Sequence, residues 1–108
     1  MSLDFHIANN SKEATYQSVD ASFDLQSHKL IFNRYGLPEG RFPLFNRLGD
    51  YYKDAKYTAD ELEILIKETN QIKELFSDNN QLIQQLDILL RVYKKALKSK
   101  TNIWVFCD

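Results

Sequence analysis

The chain has 108 residues, 44% of them hydrophobic and 27% charged, with three glycines and two prolines. That is the length of one ordinary domain, able to bury a core without help from a metal or a disulfide. Fourteen basic residues against fifteen acidic ones give a formal charge of −1, which argues against a nucleic-acid partner, since such domains carry a positive excess that neutralises phosphates.

The single cysteine, Cys107, has no second thiol to pair with inside the chain, so a reducing, cytoplasmic setting is expected. The opening MSLDFHIANN lacks both a basic n-region and an apolar h-region, and no signal peptide is expected. Apolar runs are only a few residues long, too short for a bilayer span, so no membrane partner is expected either.

Leu3, Phe5 and Ile7 alternate with polar residues at the period of a half-buried strand. The polar stretch after it reads as a loop, with a short second strand near Tyr16 to Val19 and helix as the competitor. Leu30, Ile31 and Tyr35 then fall at helical spacing. Ser27 is the candidate N-cap, with Gly36 and Pro38 placed to end the helix. A strand over HKLIFNRY is the alternative there.

The segment LPEGRF is the strongest break in the chain. Beyond it Pro43 suits a first helical turn, and Leu44, Phe45, Leu48, Tyr51 and Tyr52 continue at helical spacing, with Gly49 a weak point. Thr58 and Glu61 have capping-box spacing, ahead of an apolar face of Leu62, Leu65, Ile66, Thr69, Ile72 and Phe76. A polar turn at 77–80 leads to a second long helix with an inner stripe of Leu82, Leu86, Leu89, Leu90, Tyr93 and Leu97. So short a turn predicts an antiparallel helical hairpin.

The last segment, NIWVFC, is branched and aromatic and reads as a strand. Neither terminal strand can satisfy its backbone alone. Pairing them in one small sheet packed by three to four helices, hairpin included, makes residues 1–108 a single α+β domain.

Asp4, His6 and Cys107 would meet if the terminal strands pair, and His28 and Asp24 could join them. That grouping suits a metal site or a thiolate–imidazole pair, but no HxH, CxxC or HExxH spacing requires it. The plainer reading puts Asp4 and His6 on the polar face of an edge strand. Asp50 and Asp54 share a face if helical, a spacing common on solvated helices. No glycine-rich phosphate cradle is present. No catalytic residue, metal or cofactor is assigned.

Arg91, Lys94, Lys95, Lys98 and Lys100 form a basic cluster, read here as structural because cations suit a helix C-terminus. Ile64, Ile88 and Val92 fall off the inner stripes of their helices. Tyr35, Phe42, Phe45, Tyr51, Tyr52 and Tyr57 crowd one segment, interspersed with Arg34, Arg41 and Arg47. Such aromatics serve cores and interface hot spots alike.

The expected function is a non-enzymatic protein–protein interaction module of immunity, antitoxin or adaptor type. It would bind another protein or a second copy of itself through Tyr51, Tyr52, Tyr57, Ile88 and Val92. The alternative is a small metal- or Cys/His-dependent enzyme using Asp4, His6, His28 or Cys107.

Overall fold

A computed structural model describes residues 2–16, 18–32, 37, 40–50 and 53–107. The terminal strands β1 (Ser2–Ile7) and β4 (Ile103–Cys107) pair antiparallel, from Leu3 opposite Cys107 to Ile7 opposite Ile103. Strands β2 (Ala21–Asp24) and β3 (Ala55–Tyr57) flank them, giving a four-stranded antiparallel sheet in the order β2-β1-β4-β3. The fold is α+β, as the periodicity predicts. β1 is interior to the sheet, so Asp4 and His6 do not stand on an edge strand.

Period-2 alternation divides the sheet into two faces. Leu3, Phe5, Ala21, Phe23, Tyr57, Ile103 and Val105 point into the core. Ser2, Asp4, His6, Ser22, Asp24, Lys56, Trp104 and Phe106 occupy the opposite face by the same register.

The polar stretch after β1 holds a short helix, α1 (Ser11–Tyr16), rather than a strand near Tyr16 to Val19. Its start is fixed by a reciprocal pair: Asn10 Oδ1 accepts the Glu13 N–H at 2.9 Å, and Glu13 Oε2 accepts the Asn9 N–H at 2.9 Å. Helix α2 (Leu25–Phe32) follows β2 directly. Asp24, not Ser27, caps it, because Asp24 Oδ1 accepts the Ser27 N–H at 2.7 Å. Gly36 and Pro38 lie outside the described residues.

The helix expected from Pro43 is only a 3-10 turn, Phe45–Leu48. The buried Glu68 carboxylate occupies its N-terminal end, accepting from Leu44 N at 3.1 Å and Phe45 N at 2.9 Å. Phe42, Phe45 and Leu48 enter the core from this turn. Gly49 packs close, since a Cβ there would stand 3.0 Å from the Asn46 carbonyl oxygen and 3.6 Å from the Phe32 ring.

The capping box at Thr58 and Glu61 is present, opening as a 3-10 turn before α3 (Leu62–Leu75). Glu61 Oε1 accepts the Thr58 N–H at 3.0 Å. Helix α4 (Asn80–Ser99) runs back against α3, with Lys73 and Asp87 ion-paired between them. The fully buried Tyr93 of α4 touches Phe5 of β1 and Tyr57 of β3, with ring centroids 6.1 and 6.4 Å away. One helix thereby contacts two strands of the inner sheet face.

Candidate functional site

Of the residues proposed for a Cys/His or metal site, Asp4, His6 and Asp24 share the outer sheet face, whereas Cys107 and His28 lie apart from them. His6 faces Trp104 across the β1–β4 ladder, three positions from the Leu3–Cys107 pair. An odd separation along an unbroken ladder puts the His6 and Cys107 side chains on opposite faces. Asp4 Oδ1 accepts from the Ser2 and Ser22 hydroxyls at 2.6 and 2.9 Å. His28 belongs to α2, with its ring against Phe32 at 4.6 Å and its Nε2 2.7 Å from the Leu48 carbonyl oxygen. Burial lowers the His28 pKa, and the neutral ring donates that Nε2 hydrogen to the carbonyl. Among the described residues no three His, Cys, Asp or Glu side chains group as a metal would require.

Cys107 is exposed, yet its thiol is held above the usual range, chiefly by its hydrogen bond with the Asp54 carboxylate. The same Asp54 accepts the Cys107 backbone N–H at 3.0 Å. A neighbouring negative charge disfavours the thiolate, which is the nucleophilic form. Asp50 and Asp54 do not share a helix face, since neither residue is helical.

Of the expected binding residues, Tyr57 and Val92 belong to the core. Tyr57 donates its hydroxyl to the Leu44 carbonyl at 2.6 Å, and burial keeps that phenol protonated well beyond its ordinary range. Val92 stands three residues from Leu89 and four from Ala96, forming a second inner ridge beside Leu82, Leu86 and Tyr93. The sheet and α3 both pack against α4, so its buried arc is wider than one stripe. Tyr51 and Tyr52 lie outside the described residues. Ile88 is 37% exposed.

Ile88 sits on the outer face of α4, and that face is built by both ends of the helix. Asn79 Oδ1 caps the start, accepting the Leu82 N–H at 3.0 Å. Lys100 stops the helix in the left-handed region at φ 53°, with Thr101 N donating to the Ala96 carbonyl at 2.9 Å. This is the geometry of a left-handed helix stop. Between these ends Arg91, Lys94, Lys95 and Lys98 are all exposed. Lys94 and Lys95 each stand three or four residues from both Arg91 and Lys98, so those pairs lie about 5–6 Å apart at Cβ on one surface. Ile88 is three residues from Arg91 and seven from Lys95, on the flank of the same surface.

The dipole does not account for this cluster. Its effect fades within the last turn, whereas Arg91 stands about 12 Å before the end of the helix at a rise of 1.5 Å per residue. Only Lys98 falls in the last turn. Like charges at these spacings cost a few tenths of a kcal/mol per pair. Among the described residues the ion pairs are Arg47–Glu61 and Lys73–Asp87, neither of which uses the four cations. The distance of Arg91 from the helix end was visible in the sequence and is the signal the dipole reading overlooks.

A second surface feature is an open groove of about 510 Å³ along α2, lined by Gln26, His28, Lys29, Leu30 and Phe32. Its one imidazole is engaged with the Leu48 carbonyl. Comparisons with known family models, with curated proteins and with solved structures found no match.

Proposed function

We propose that the chain is a non-enzymatic protein-binding module, built on the scale of immunity, antitoxin or adaptor proteins, and that its partner docks on the outer face of α4. One observation carries the reading: Ile88 is exposed beside four exposed cations on a helix whose other face is core. Single exposed apolar residues are ordinary on any surface. An apolar residue beside arginine and lysine on a rigid helix is the pairing that interfaces favour. The partner is another protein or a second copy of this chain, and the setting is the cytoplasm, where a lone cysteine stays reduced. No helix among the described residues is long and apolar enough to cross a membrane.

The test is site-specific photo-crosslinking in cells of the source organism, with a benzophenone amino acid at position 88 or at position 16, where Tyr16 is 82% exposed on α1. A discrete adduct from position 88 and none from position 16 is expected. No adduct at 88, or equal labelling from both positions, contradicts the assignment.

A further inference from the structure

Resting on that reading, we infer that the surface the module binds is acidic, a carboxylate-rich patch of a protein that neutralises Arg91, Lys94, Lys95 and Lys98 together. Charge segregation along the chain is the first ground. Residues 88–100 hold five of the fourteen basic residues and no acidic one, so the rest of the molecule sets nine cations against fifteen acids.

Lys100 is set apart from the others, because it shares a cleft with Asp60 and Glu63. The remaining four are exposed, take part in neither of the ion pairs among the described residues, and repel one another at three- and four-residue spacing. Opposite charge arriving from outside would relieve that repulsion.

The acidic remainder of the molecule decides which class of polyanion fits. The stretch from Ile88 to Lys98 spans about 15 Å at the helical rise. A duplex or an anionic membrane extends well past that length and would meet the rest of a molecule in which fifteen acids outnumber nine cations. A duplex backbone would also offer no apolar counterpart for the exposed Ile88. A compact acidic patch on a folded protein matches both the length and the mixed apolar and cationic character.

The probe is a short poly-L-glutamate peptide, titrated against the full chain by fluorescence anisotropy. A duplex DNA oligonucleotide and phosphatidylserine-containing vesicles are run in parallel. The variant R91Q/K94Q/K95Q/K98Q removes the cluster, and K12Q/K29Q/K53Q/K67Q removes four exposed lysines elsewhere as the matched control.

Poly-glutamate binding should weaken as salt rises and fall about tenfold in the cluster variant, while the control holds near the parent affinity. Equal loss in both variants, or tighter binding to DNA or vesicles than to poly-glutamate, overturns the proposal. Thermal melts should show both variants folded, and if the cluster variant is unfolded, single neutralisations of Arg91 and Lys95 take its place under the same criterion. The crosslink at position 88 separates the two levels. An adduct that persists undiminished in the cluster variant leaves the docking face standing and removes the acidic partner.

Discussion

The Glu68 carboxylate, buried on α3, accepts the backbone N–H of Phe45 at 2.9 Å and thereby anchors the 3-10 turn of the central loop to the helical hairpin. Leu44 N donates to the same oxygen at 3.1 Å, so one side chain satisfies two amides at the start of the turn. Tyr57 fixes the same segment from the sheet side through the Leu44 carbonyl.

Glu68→Ala leaves those amides without their acceptor and should destabilise the fold by about 2–3 kcal/mol. Glu68→Gln keeps one carbonyl acceptor but loses the charge, and should cost about 1 kcal/mol. Urea denaturation of both variants checks the order. Equal costs would mean that a neutral carbonyl cannot replace the carboxylate, and no cost in Glu68→Gln would mean that the charge contributes nothing.

Arg47 makes a two-pronged contact with Glu61, at 2.9 and 2.5 Å, and also donates to the Lys56 carbonyl. The guanidinium bond lowers the Glu61 pKa from 4.5 to about 2. A carboxylate whose folded pKa is depressed contributes stability above its unfolded pKa and loses it as pH falls through the folded one. Stability should therefore decline between about pH 4.5 and pH 2 in the parent, and more shallowly in Glu61→Gln. Both partners are partly exposed, so the effect stays below about 1 kcal/mol. Denaturant midpoints measured against pH report it.

The Tyr93 hydroxyl is fully buried with no hydrogen-bond partner among the described residues. Replacing it by Phe keeps the ring against Phe5 and Tyr57 and removes an uncompensated polar group. Tyr93→Phe should raise stability by about 1 kcal/mol. A loss of similar size in the thermal or urea midpoint would show that the hydroxyl is satisfied.

Asp54 holds the Cys107 thiol above its usual range, so the exposed thiol should alkylate slowly at neutral pH. Asp54→Asn removes the charge, lowers the thiol pKa and should speed iodoacetamide labelling. The pH profile of the rate, shifted to lower pH in the variant, is the readout.

Much of the frame is legible in the residues. Leu3, Phe5 and Ile7 alternate cleanly, and Ile103 to Cys107 is branched and aromatic, so the terminal strands and their place in one sheet follow. Thr58 and Glu61 mark the start of α3, and the turn before Asn80 forces the hairpin. Where propensity and packing disagree, packing decides. The segment from Pro43 has helical spacing, yet Glu68, distant in sequence, seizes its first amides, and Phe42, Phe45 and Leu48 are drawn inward. β2 and β3 have four and three residues, too few for period 2 to stand out. Asn10 and Glu13 did carry a local helix signal, which the polar composition of the stretch hides.

The site was legible only in part. Ile88 off the inner stripe is exposed, whereas Val92, equally off it, is buried because α3 and the sheet together cover a wide arc of α4. Tyr57 looks like an interface aromatic in sequence and is a core residue whose hydroxyl ties down the central loop. Arg91 stands eight residues before the helix end at Ser99, a distance that the strand starting near Asn102 already implied in the sequence.

The most direct test of the α4 surface is an amide NMR titration of the isotopically labelled chain with the poly-glutamate peptide. Shift changes should concentrate at Ile88, Arg91, Lys94, Lys95 and Lys98, with the α2 groove and the outer sheet face around Trp104 unmoved. Changes centred on Lys29 and Leu30 or on Trp104 and Phe106, with α4 silent, would contradict it.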